Sequence, residues 1–121
     1  MIVFKEQPYK SMQCGQTCLS MITGKSIEEI CEDLGKFWTT HLDSDLQSFL
    51  ERNGYKTKLV GSGKIEFDEI PNDSLVRVCF PSGNGHIIIK HNDKYYDPSV
   101  GIVQQMLAYV RVTHYLTFKK E

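Results

Sequence analysis

No stretch of this chain is apolar for the length a membrane span needs, no block of basic residues is present, and no repeat, low-complexity tract or linker interrupts it. The first absence argues against a membrane protein. The second, with 14 basic and 15 acidic residues spread along the chain and a net charge of -1, argues against a nucleic-acid partner. The N-terminus turns charged after Met1-Ile2-Val3-Phe4 and lacks the apolar core of a signal peptide. A cytoplasmic protein is therefore expected, or one exported by a route that needs no such signal. Cysteine is sparse and irregular, at Cys14, Cys18, Cys31 and Cys79. Cys14-x3-Cys18 has no matching downstream pair, so zinc is not favoured and free thiols are expected. What remains is an ordinary globular composition, 40% hydrophobic and 24% charged. A length of 121 residues predicts one domain whose core needs neither metal nor disulfide. Nothing in the pattern calls for a large apolar interface, so a monomer is expected.

The most informative stretch is Gln13-Cys14-Gly15-Gln16-Thr17-Cys18-Leu19-Ser20-Met21. It sets a thiol at a loop-to-helix junction, where unpaired N–H groups and the helix dipole favour an anion and so the reactive thiolate. Downstream, Gly85-His86-Ile87-Ile88-Ile89 puts an imidazole at the start of an apolar strand, and Tyr95-Tyr96-Asp97-Pro98 offers a carboxylate at the end of the next. Cysteine, histidine and aspartate in that order supply a nucleophile, a base and an orienter.

The spacing predicts a first helix over Cys14 to Ile22, ended by Gly24. A second opens on the capping box Ser26-Ile27-Glu28-Glu29 and closes at Gly35. A third runs from Asp43 or Ser44 through Asn53. Strands are expected at 55–60, 74–80, 86–90, 94–97 and 111–119, with a short edge strand at 2–5. Residues 91–93 make the hairpin turn, and 102–109 form a short helix or a covering loop. Gly61-Ser62-Gly63-Lys64 lacks the spacing of a phosphate loop and reads as a turn, as does Asn72-Asp73-Ser74. Helices first and an antiparallel sheet second give an α+β fold.

Each candidate has a rival. Cys18 lies one turn beyond Cys14, on the stripe with Leu19 and Ile22, where core packing is its expected role. His91 is an alternative base, set beside the polar hairpin turn. His41 and His114 look incidental. Gln7 is the candidate side-chain donor to an oxyanion, beside the backbone N–H of Cys14. Gln13 and Gln16 compete with it, although Gln13 should point away from the thiol and Gln16 lies inside the helix.

Gln7, Cys14-Gly15-x-x-Cys18-Leu19-x-Met21, Gly85-His86 and Tyr96-Asp97-Pro98 together resemble the papain-like cysteine peptidases. The nearest likeness is the compact bacterial branch that includes the bacteriocin leader-processing peptidase domains. Thr39-Thr40 and the helix from Leu46 to Asn53 with Gly54 resemble the segment those domains carry between nucleophile and histidine. The resemblance spans Gln7 to about Gly101. It implies Cys14 as nucleophile, His86 as general base and acid, Asp97 as orienter and Gln7 as oxyanion donor. It also implies an N-terminal helical lobe carrying the cysteine, packed on a C-terminal sheet carrying the histidine and aspartate, with the site between them. In the family the glutamine usually lies six residues before the cysteine. Here it lies seven before, so the loop bulges or the donor differs. No transporter segments accompany these residues, so a leader-peptide substrate does not follow.

The expectation is a thiol hydrolase cleaving a peptide or isopeptide bond through an acyl-enzyme, without a cofactor, on a protein or peptide substrate. Deamidation or acyl transfer would use the same groups. A catalytically inactive peptide-binding module on the same scaffold is the rival reading.

Overall fold

Gly24 ends α1 (Cys14–Thr23) in the left-handed conformation, at φ 81°, and its N–H donates to the Ser20 carbonyl. Ser26 opens α2 (Ile27–Leu34) by accepting the Glu29 N–H at 3.1 Å, while the Glu29 carboxylate accepts the Ser26 N–H at 3.4 Å. These helices come from a computed structural model that describes residues 2–61 and 63–121. Ser62, and with it part of the turn expected at 61–64, lies outside the described residues, as does Met1.

The third helix starts differently from the sequence expectation. Leu42–Gln47 forms a π-helical turn that runs into α3 (Ser48–Arg52). The Asp45 and Leu46 N–H groups both reach the His41 carbonyl, at 3.2 and 3.1 Å, which draws one extra residue into the first turn. Asp45 Oδ2 fixes that turn by accepting from the His41 N–H at 2.7 Å and from Lys36 Nζ at 2.9 Å.

Six strands make one antiparallel sheet in the order β1-β6-β2-β3-β4-β5. They are β1 (Tyr55–Val60), β2 (Ser74–Cys79), β3 (Gly85–His91), β4 (Lys94–Asp97), β5 (Gly101–Val103) and β6 (Arg111–Lys120). The β3–β4 hairpin turns on Asn92 and Asp93, both at positive φ (52° and 60°), so β3 keeps His91 and the turn is one residue shorter than expected. β5 corrects only the start of the helix or covering loop expected at 102–109; residues 104–109 are a loop. The strand takes the sheet edge beyond β4. The segment 2–5, expected as an edge strand, is not one: it runs unpaired, with Ile2 and Phe4 packed against the core.

The sheet has an apolar layer on each face. One joins the helices to the sheet through Cys18, Leu19, Phe49, Leu50, Leu75, Ile87, Ile89 and Leu116. The other gathers Ile65, Ile70, Val76, Val78, Ile88 and Val110 beneath the connections on the far side. α1 is buried along most of its length, from Gly15 to Met21, because β3 flanks it on one side and α2 on another. Gln16 acts as a strut from the helix: its Nε2 donates to the carbonyls of Lys36 (3.2 Å) and Trp38 (2.7 Å), which ties the following loop to the helix, while its buried Oε1 has no partner among the described residues. The result is an α+β molecule whose helical layer and sheet meet along a cleft. No helix is long and apolar enough to cross a membrane among the described residues.

Candidate active site

Cys14 is the first residue of α1, and no side chain caps the helix in front of it. Its thiol is half-buried and lines a cleft of about 720 Å³. The helix brings the cysteine from one side. The loop 39–43 and the segment 7–12 complete that wall, and the sheet supplies the other through residues including Arg77, Gly85, His86 and His114.

His86 sits at the second position of β3, opposite Val78, with its side chain 11% exposed. Asp97 ends β4 and is 4% exposed. Their pairing follows from register. Ile89 opposes Tyr96, so one further step sets Asp97 level with Ile88 and diagonal to His86 on the same face. That diagonal is closed by a 2.7 Å contact between His86 Nε2 and Asp97 Oδ1. The Ser99 N–H also donates to Asp97 Oδ1, at 2.9 Å, so the aspartate holds the turn after β4 as well. With Nε2 engaged, Nδ1 is the ring nitrogen left to face Cys14, which lines the same cleft and helps to raise the His86 pKa. Burial alone would lower the imidazole pKa. The Asp97 hydrogen bond, the nearby Cys14 and the charges of both outweigh it and raise it from 6.5 to about 9. At neutral pH the ring is therefore protonated.

Cys18 is fully buried, and its thiol donates weakly to the Ile87 carbonyl at 3.5 Å. Burial, then the neighbouring Cys14 and Asp97, push its pKa well above the ordinary value, so it stays a thiol. Gln7 lines the cleft with Cys14. Its backbone N–H donates to Pro98 O at 2.8 Å, its Nε2 to Ser11 O at 2.8 Å, and its Oε1 accepts from Ser99 Oγ at 3.1 Å. Between Gln7 and Cys14 the chain takes a tight turn: Ser11 N–H donates to Pro8 O at 3.1 Å, with Lys10 at φ 57°. Gln13 Nε2 donates to Phe37 O at 3.0 Å, so neither Gln13 nor the buried Gln16 is committed to the cleft. His91 lies outside the cleft lining, 2.7 Å from Asp73 Oδ1 and edge-on to Tyr96.

His41 and His114, read as incidental, both line the cleft. So does Arg77, which the sequence reading passed over. The signal that places Arg77 and His114 is strand register, because they oppose each other across β2 and β6. That pairing joins residues from distant parts of the chain and has no local pattern to betray it. Among the described residues, no three His, Cys, Asp or Glu side chains are grouped to hold a metal ion.

No protein-family model matches the chain, and no curated protein matches it in sequence.

Proposed function

We propose that this protein is a thiol hydrolase of the papain-like kind, cleaving a peptide or isopeptide bond through a thioester on Cys14. The observation that carries the reading is His86, bonded to Asp97 at 2.7 Å through one nitrogen and lining one cleft with Cys14 at the head of α1. In this reading Cys14 Sγ attacks the substrate carbonyl carbon, and the carbonyl π electrons move to oxygen. Gln7 and the Cys14 backbone N–H face that oxygen. Collapse expels the amine, which leaves with the proton carried by His86.

The same geometry accounts for the second half-reaction. Once the sulfur is a thioester, the part of the His86 pKa elevation due to Cys14 is gone, while burial still pulls the value down. The neutral ring then takes a proton from water as water attacks the thioester, and Asp97 steadies the imidazolium that forms. No cofactor enters these steps. The substrate is a protein or peptide that fits the cleft as an extended segment.

Iodoacetamide tests the reading without knowledge of the substrate. Cys14 is expected to alkylate about tenfold or more faster near pH 6–7 than a free cysteine derivative, and His86→Ala to slow it. A Cys14 that reacts at the free-thiol rate, with no dependence on His86, would falsify the hydrolase and leave a peptide-binding cleft.

A further inference from the structure

Among the described residues Arg77 is the one lysine or arginine in the cleft lining, and its position is built by its neighbours. The ladder between β2 and β6 slips between Arg77 and Val78: Arg77 opposes His114, while Val78 opposes Val112. Thr113 is the extra residue of that bulge, and a bulge re-aims the side chain it carries. Thr113 Oγ1 accepts from Arg77 Nη1 at 3.0 Å and donates to the Arg77 carbonyl at 3.2 Å. His114 Nδ1 lies 3.1 Å from the same hydroxyl. The guanidinium is thereby fixed at one corner, with Nε and Nη2 left over.

Register determines where those remaining donors go. Arg77 opposes Ile87 on β3, and Gly85, two residues from Ile87, lies on the same face. The arginine reaches diagonally along that face to Gly85. A Cβ on Gly85 would stand 2.7 Å from Arg77 Nη2, so the absence of a side chain there is what lets the guanidinium lie against the strand. Gly85 immediately precedes His86. On the other side of Arg77, the His114 ring lies over Gly61 in the same way, in the space a Cβ there would fill.

Among the described residues, no carboxylate lies within 4 Å of the Arg77 guanidinium. The acidic side chain in the cleft lining is Asp43, on the helical wall, where its Oδ1 accepts the Ser44 N–H at 2.7 Å. A half-buried guanidinium with free forked donors and no internal anion is a receptor for a carboxylate. Resting on the hydrolase reading above, we propose that the cleft selects substrates carrying a carboxylate beside the attacked bond, as a Glu or Asp side chain bound by Arg77. Arg77 is then a specificity residue, and the substrate class is an acidic peptide segment.

Electrophiles that carry their own side chains read this subsite directly. The purified chain is treated with iodoacetamide and with two probe series. One is peptidyl vinyl sulfones bearing Glu, Gln or Lys one or two residues before the reactive carbon. The other is bromoacetyl dipeptides bearing the same residues after it. In at least one series the Glu probe is expected to alkylate Cys14 about tenfold or more faster than its Gln twin, as a charge-assisted hydrogen bond implies. The Lys probe should be slower than both. Arg77→Ala should bring the Glu-to-Gln ratio to about one, and Arg77→Lys should keep its direction with a smaller size. If Arg77→Ala does not fold, the wild-type ratios and Arg77→Lys decide. Equal Glu and Gln rates in both series, alongside rapid iodoacetamide labelling, overturn the carboxylate subsite and leave the hydrolase standing. Ordinary iodoacetamide reactivity of wild-type Cys14 sinks both.

Discussion

His86 concentrates the electrostatics of this molecule in one ring. Burial opposes its charge, and Asp97 and Cys14 restore it, with a net rise to about pKa 9. In Asp97→Asn the strongest supporter is lost while burial remains, so the ring pKa should fall towards or below 6.5. NMR titration of the imidazole protons measures this directly. The folded value lies above the unfolded one, so the pair stabilises the protein in full below about pH 6.5, and that stabilisation is lost as pH rises through about 9. Its ceiling is on the order of 3 kcal/mol. Unfolding by urea across pH 6–10 should therefore show wild-type stability falling in that window and Asp97→Asn nearly flat. A variant that keeps both the raised pKa and the slope would mean that Asp97 does not hold the proton. The same residue scale shows what sequence can reveal. Cys14, His86 and Asp97 are each marked by a local setting: a helix start, a strand start, an Asp-Pro strand end. Arg77 and His114 sit mid-strand among ordinary neighbours, and their place in the cleft follows from a bulge and from strand order, neither of which leaves a local trace.

At the scale of elements, readability tracks how local the determining interactions are. α2 is bounded by Ser26 and Gly35, and its start depends on two reciprocal hydrogen bonds within four residues. Ser26→Ala removes the side-chain half of that box and should cost about 1 kcal/mol. A denaturant midpoint shifted at unchanged m-value is the expected signature, and an unshifted midpoint would show that tertiary packing alone sets the end of α2. The β3–β4 hairpin was readable for a similar reason, since a polar turn separates two apolar runs. The π-helical start of the third helix was not. Asp43 and Ser44 are good capping residues, but Asp45 takes the capping role by turning back to the His41 N–H and pairing with Lys36 from the preceding loop. β5 has only three residues and depends on a partner strand, so no periodicity announces it. The segment 2–5 has a strand-like composition, yet it pairs with no strand and instead packs Ile2 and Phe4 against the core.

The whole molecule sets Cys14 and His86 on different layers, so their distance is a property of the interface between α1 and β3 rather than of either element. That interface is the apolar layer containing Leu19, which is fully buried on the cysteine helix. Ile70 is nearly as buried but sits in the connection that covers the far face of the sheet, in a layer that contributes none of the described residues to the cleft lining. Both truncations to alanine should cost about 2–5 kcal/mol by transfer and cavity formation. Their effect on the thiol should differ. Leu19→Ala lets α1 settle or tilt against β3, and proximity effects make a shift of about 1 Å costly, on the order of 100-fold in rate. Ile70→Ala removes support from behind the sheet while the α1–β3 contact stays packed. Iodoacetamide labelling of Cys14, measured well below both melting temperatures, should therefore slow in Leu19→Ala and stay near wild type in Ile70→Ala despite similar losses in stability. If both variants slow equally, labelling is following global stability, and the packing of the helical layer on the sheet is not what holds sulfur and imidazole together.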